Sequence, residues 1–223
     1  MFQLSEGLFA NCTERIKHGK DPTNRQFFGL ILIIFDLHLR NAAYENQTGK
    51  NNLHAYSLRI HGFKKLLLGR KDDDLTNDEV WRHLKKRWRV RILSASLGNK
   101  FLTSDNPSIL IASGTAIPSL QFAVLPVTPN RIAVALDCHK VAVVGDRTSP
   151  KDEELLNQLQ LSNAVECVYS SVPLSMEEQQ AVGERLNRKS KGRGKTDEAA
   201  WEASMCRLAS GVNFSFMQLA SHA

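Results

Sequence analysis

The stretch RWRVRIL, residues 87 to 93, changes the period of the chain. Upstream, apolar residues recur at helical spacing. Within the stretch, Trp88, Val90 and Ile92 alternate with Arg89 and Arg91, as in a strand that buries one face and wets the other. A chain that is helical before one point and extended after it segregates its elements instead of interleaving them as β-α-β units. The fold class expected is therefore α+β: an N-terminal helical layer packed on a mostly antiparallel sheet, followed by C-terminal helices.

Four helices are expected before the switch. Leu4, Leu8, Phe9, Cys12 and Ile16 mark the first, and Thr23 caps a second through NRQFFGLILIIFDLHLRNAAYE, apolar over most of its circumference and so central in the layer. A third runs from about Leu53 to Leu68, with Tyr56, Ile60, Phe63 and Leu67 on one face and Gly69 as its stop. Thr76 with Glu79 forms a capping box for the fourth. Strand-like runs follow: RVRILSAS, KFLTSD, SILIAS, LQFAVLPV, RIAVALD and KVAVVGD, with Gly98–Asn99 and Thr128–Asn130 as tight connections. Ser149 and Pro150 open an amphipathic helix through VYSS with Leu155, Leu159, Ala164 and Val168 facing inward. A helix from Ser175 to about Asn187 leads into RKSKGRGKT, read as a flexible basic linker, and EAAWEASMCRLASGV reads as a last short helix. Three regions result: 1–88 helical, 89–172 β-rich with its closing helix, and 173–223 with helix, linker and terminal helix.

At 223 residues the chain is long enough for a real core without disulfides. Cys12, Cys138, Cys167 and Cys206 show no C-x-x-C spacing, which points away from a zinc site or disulfide framework and toward a reducing, cytoplasmic setting. The opening MFQLSEGLFA lacks the features of a secretory signal. FFGLILIIFDL, interrupted by Asp36, is shorter than the roughly 20 residues that span a bilayer, so no membrane partner is expected. Charge is unevenly spread. Residues 1–91 hold 17 Lys and Arg against 10 Asp and Glu, residues 92–184 hold 5 against 10, and residues 185–223 hold 7 against 3. Basic ends around an acidic middle suit an acidic partner, DNA or RNA included, and equally suit attraction within the chain.

Several motifs carry candidate chemistry. Ser104, Asp105 and Asn106, before Pro107, resemble the S-D-N element of serine β-lactamases, but no Ser-x-x-Lys pair or Lys-Thr-Gly strand accompanies them. A structural turn is the reading preferred, with Ser104, Asp105 and Asn106 kept as catalytic candidates. Asp137 and His139 close a strand and join that set as an acid and a base if their strand neighbours Asp105. GRGKT lacks the first glycine of a phosphate-binding loop, since position 189 is Lys189, and reads as solvated linker. Asp72, Asp73 and Asp74 lack the glycine and glutamate of a calcium loop, and His54 and His61 are too far apart for a helical zinc pair. No metal and no cofactor is expected. Lys85, Lys86, Arg89 and Arg91, with Arg188, Lys189, Lys191 and Arg193, are the candidate nucleic-acid contacts. The bland alternative is that Trp81 and Trp88 are core residues and the basic side chains cover the wet face.

The ordered set KFLTSDNPSIL, FAVLPVTPNRIAVAL and ELLNQLQLSNAVECVYSS resembles the bacterial family called domain of unknown function 4238. The matching positions are Phe101, Thr103, Ser104, Asp105, Asn106 and Pro107, then Leu125, Pro126, Thr128 and Pro129, then Asn157, Ala164, Val168 and Tyr169. The resemblance covers about residues 86 to 171 and implies a fold and a bacterial, intracellular setting, with no established activity. Family members usually begin with a His-x-x-Pro segment not found at the start of this sequence, and the resemblance then implies either a truncated or divergent member or an N-terminal element dispensable for the role played here.

Three functional expectations follow. The leading one is an intracellular protein associated with nucleic acid, in an accessory or mobile-element role, as a degenerate enzyme or none. The second is a non-catalytic interaction module whose helical layer meets a protein partner. The third is a small-molecule hydrolase using Asp105.

Overall fold

A computed structural model describes residues 2–20, 22–44, 52–70, 74, 76–96, 100–113, 119–164, 167–191, 206–207 and 213–219. Four helices come first: α1 (Phe2–Lys17), α2 (Asn24–Tyr44), α3 (Asn52–Leu68) and α4 (Asn77–Arg87). Their ends follow from the sequence. Thr23 and Gln26 exchange side chain and backbone bonds at the start of α2, Thr76 and Glu79 complete the capping box of α4, and Gly69 takes φ +65° after α3. Helix α2 is the central one: Leu30, Ile31, Ile33, Ile34 and Phe35 are all buried.

The central sheet has the order β1-β5-β4-β3-β8, formed by β1 (Trp88–Ser94), β3 (Ile109–Ser113), β4 (Ser119–Thr128), β5 (Arg131–Asp137) and β8 (Cys206–Arg207), with β2 (Thr103–Ser104) lying outside it. All pairings are antiparallel except that of β3 with β8. Register sets Trp88, Val90 and Ile92 opposite Asp137, Ala135 and Ala133, and Ala123 and Leu125 opposite Ala135 and Ala133. This face packs on the helical layer. The row Ala123, Ala133, Ala135 matters here, since small residues in the sheet leave room for the bulky side chains of α2 to seat closely. Regions 1–88 and 89–172 thus share one core.

The second face carries Phe122, Val124, Ile132, Val134, Leu136, Ile109 and Ile111. It is covered by α5 (Pro150–Asn163) through Leu156, by Val141 of β6 (Val141–Val143), and by Phe214 and Phe216. Asp152 does two jobs here. It closes the capping box with Ser149, and it accepts bonds from the backbone N–H and hydroxyl of Ser215, pinning segment 213–219. The last described strand, β9 (Met217–Leu219), pairs with β6.

The α+β architecture matches the expected class, with differences in its parts. KFLTSD yields only β2, which pairs with β7 (Val168–Tyr169). KVAVVGD yields β6, also outside the main sheet. Helix α5 stops at Asn163, so Val168 is strand and not helix, and its buried line is Asp152, Glu153, Leu156, Gln160 and Asn163. Apolar periodicity treats Gln and Asn as wet and so misses a line of buried, hydrogen-bonded amides. Helix α6 (Met176–Lys191) runs past Asn187, because a Lys- and Arg-rich run is a good helix former once a Ser175–Glu178 start has nucleated it. Arg188, Lys189 and Lys191 are therefore helical. Of the expected last helix only Cys206–Arg207 is described, and those two residues are strand. Arg193, GRGKT and the Gly98–Asn99 connection lie outside the described residues.

Candidate functional site

Three places bear on function. The first is the SDNP turn. Ser104 ends β2 and Asn106 follows it, both buried beneath α5. Asn163 of α5 donates from Nδ2 to the carbonyls of Asn106 (2.8 Å) and Ser108 (2.9 Å), while Asn106 Nδ2 donates to Asn163 Oδ1 (3.0 Å). Gln160 Nε2 donates to Ser104 Oγ (2.5 Å) and to the Asn106 carbonyl (3.1 Å), and the Asn106 N–H donates to Ser104 Oγ (3.1 Å). One turn earlier Asn157 accepts from Leu102 N and donates to the Lys100 carbonyl. Spacing of three residues puts Asn157, Gln160 and Asn163 on one strip of the helix, which clamps residues 100–108. Two buried atoms, Ser108 Oγ and Gln160 Oε1, have no hydrogen-bond partner.

Asp105 is turned differently. Its N–H donates to the Cys167 carbonyl, continuing the β2–β7 pairing, and its side chain is half-buried near Tyr169. Cys167 Sγ and the Tyr169 hydroxyl are hydrogen-bonded at 3.0 Å; the bond to Cys167 and its charge first, then burial and the Asp105 carboxylate, push the phenol above its usual range.

The second place is Asp137, at the end of β5 on the face toward the helical layer. It is fully buried. Arg87, the last residue of α4, meets it with two nitrogens: Nε donates to Oδ1 at 3.1 Å and Nη2 lies 2.9 Å from Oδ2. Lys140 Nζ is 3.5 Å from Oδ2 and donates to the Leu120 carbonyl at 2.9 Å. His83 Nε2 is 3.9 Å from Oδ2 and has no hydrogen-bond partner. Burial first, and then the Arg87 charge, drive the His83 imidazole from its ordinary 6.5 down to about 4, so it is neutral at pH 7. Burial likewise lowers Lys140 from the usual lysine range, with the Asp137 charge opposing. His139 contributes its backbone N–H to Asp137 Oδ1, and its side chain is exposed.

Asp137 and Asp105 thus have separate sets of partners. The first faces α4 across the helical layer; the second sits where β2 meets β7, beside the turn that α5 clamps. His139 joins Asp137 through its backbone, and no hydrogen bond or ion pair described here links either residue to Asp105.

The third place is the surface of α4 and β1. Lys85, Lys86, Arg89 and Arg91 are all exposed. None of them pairs with a carboxylate among the described residues. Arg89 is oriented by donating Nη1 to the Lys85 and Trp88 carbonyls, which also satisfies the end of α4. Trp88 is core, buried against Phe35, whereas Trp81 is half-buried and packs on Phe28 with ring centroids 5.9 Å apart.

Among the described residues no group of three or more His, Cys, Asp or Glu side chains is placed to hold a metal ion, and no helix is long and apolar enough to cross a membrane. No protein-family model, curated protein or solved structure matches the chain. Sequence reasoning missed Arg87, His83 and Lys140 as a group, since the first two fall in a basic run and Lys140 opens the strand-like KVAVVGD. The available signal was a buried-strand Asp next to a helix rich in cations.

Proposed function

We propose that the protein binds nucleic acid through phosphate contacts made by Lys85, Lys86, Arg89 and Arg91. The observation that carries this reading is the exposure of all four cations on one helix end and one edge strand, with no carboxylate among the described residues to neutralise them. Trp88 is buried and cannot stack on a base, and Trp81 is half-buried against Phe28. The contact is then electrostatic and indifferent to sequence. Four phosphate contacts on duplex DNA give a slope of log affinity against log salt of about −3.6, and replacing the four residues by Ser flattens it. Absence of binding to both DNA and RNA at low salt defeats the reading.

The likeness to the domain of unknown function 4238 is a proposal on the same footing. Its support is that Ser104, Asn106 and Asn157, three of the matched positions, all serve the clamped turn, so the shared pattern argues for shared architecture. A protein partner is the second reading. Its support lies away from the helical layer, in Tyr169, Val172 and Met176, which are exposed along one connecting segment.

A further inference from the structure

Strand β1 is an end strand of the central sheet, paired with β5 on one side and with no strand on the other among the described residues. In an antiparallel ladder the backbone groups of alternate residues face the partner, and those between them face away. Two sets of bonds fix the parity here. The Arg87 carbonyl accepts from the Cys138 N–H, just past β5, so position 87 faces inward; Ser94 donates to the Asp146 carbonyl and accepts from the Thr148 N–H, so position 94 faces outward. Pairing runs from Trp88 to Ser94 without a register shift, and counting in twos turns Val90 and Ile92 outward. At Trp88 the outward carbonyl is already taken by the Arg89 guanidinium. The outward N–H and C=O groups of Val90 and Ile92 have no hydrogen bond among the described residues. Ile92 is half-buried, and Val90, whose side chain lies in the core under the helical layer, is 7% exposed. Backbone groups so poorly hydrated gain from a protein partner.

We infer that the outer edge of β1 docks an extended acidic peptide segment of a protein partner, which adds to the sheet through the backbone of Val90 and Ile92. Charge decides the occupant. Arg89 and Arg91 are exposed on one face of this edge and pair with no carboxylate among the described residues. In an added strand the residues beside them lie on the same face, two positions apart, so Asp or Glu at i and i+2 meets both cations. A second copy of this chain, pairing antiparallel through the same edge, sets arginine beside arginine, and like charges across a ladder repel. The free stretch is short, yet pairings of two residues already join β2 to β7 and β8 to β3. This goes beyond the nucleic-acid reading, because it uses backbone groups of β1 that a phosphate chain leaves idle, with Arg89 and Arg91 serving both.

The test is fluorescence anisotropy of the full chain with a labelled peptide, Ser-Glu-Val-Glu-Val-Glu-Ser, and with its lysine-for-glutamate analogue. Two N-methylated forms complete the set, one methylated on both valine amides and the other on two glutamate amides. The acidic peptide should bind and the lysine analogue should not. Only alternate amides of an added strand meet the edge, so one methylated form should bind at least about tenfold more weakly while the other matches the parent. Equal affinity of the two methylated forms, or no preference for acid over lysine, overturns the proposal. Ile92→Pro removes one outward N–H without touching a bond to β5, a change that edge strands accept. It should abolish peptide binding and leave the salt slope for DNA unchanged. A folded Ile92→Pro variant that still binds the peptide also overturns the proposal, and if that variant does not fold the methylated peptides decide alone. Peptide binding in a protein that fails to bind DNA and RNA defeats only the nucleic-acid reading.

Discussion

Two polar clusters lie buried on opposite sides of the central sheet, and they are solved in different ways. Beneath α5, neutral amides meet neutral carbonyls: Asn106, Asn163, Gln160 and Ser104 use their donors on one another and on backbone. Beneath α4, ionised groups meet, with Arg87 and Lys140 both approaching the Asp137 carboxylate. The amide network fixes the geometry of the turn, with only Ser108 Oγ and Gln160 Oε1 of the cluster left without a hydrogen-bond partner among the described residues. Ionised groups gathered on one buried carboxylate respond to pH as neutral amides do not. The difference teaches that the motif most conspicuous in the sequence, SDNP, is held by a neutral network, while the buried ionised groups gather elsewhere, around Asp137.

The comparison breaks most easily at Asn163. Asn163→Ala strands the Ser108 carbonyl and takes one of two partners from the Asn106 carbonyl, which Gln160 still serves, and from the Asn106 amide, so at about 1 to 3 kcal/mol for a stranded group the loss should be about 2 to 4 kcal/mol in urea unfolding. A loss below about 1 kcal/mol would mean that the amide clamp does not fasten the turn.

The charged cluster should reveal itself through pH. His83 is held at about 4 in the fold and at the ordinary 6.5 in the unfolded chain. Between those values the unfolded chain binds a proton that the folded chain refuses, so stability is complete above about pH 6.5 and falls as pH drops toward 4. The groups facing the imidazole are Arg87 on its own helix, Asp137 on β5, and Lys140 and His139 after it. His83→Gln should flatten stability across that window relative to wild type. An unchanged slope would mean that the fold does not lower the His83 imidazole.

The smallest effect is expected from Asp105→Ala, about 1 kcal/mol or less, against about twice that for Asn106→Ala. The side chain of Asn106 is buried and bonded to α5, and that of Asp105 is half-buried beside Tyr169. The reverse order in thermal melts would return Asp105 to the role of strand-exit fastener that its sequence position suggests.

Much of the scaffold was legible because its signals are local. The Thr76–Glu79 and Ser149 starts, the alternation in RWRVRIL and the turn after Thr128 each rest on a few neighbouring residues, and each is present. What was illegible is long-range. Nothing in a sequence announces that Gln160 and Asn163 turn inward, since their hydrophilicity argues for solvent until their partners 54 to 57 residues away are known. Arg87, His83 and Lys140 were hidden similarly. A charge run on α4 reads as wet surface, and only the pairing of Trp88 with Asp137 brings the carboxylate beneath it. The strands formed by Cys206–Arg207 and Met217–Leu219 were missed because two or three residues carry no period.

The pinning of segment 213–219 bears on the order in which the molecule can be made. Ribosomes deliver a chain from its N-terminus, so α1 to α4 and the sheet through β5 emerge early and can close the face lined by Ala123, Ala133 and Ala135 at once. The opposite face waits. Phe122 meets Phe214 edge-on and Phe214 stacks against Phe216, and those aromatic plugs arrive long after α5 has been synthesised. During that interval the nascent protein carries a finished side and an unroofed one, and Asp152, already placed by the start of α5, is the latch onto which the late segment closes.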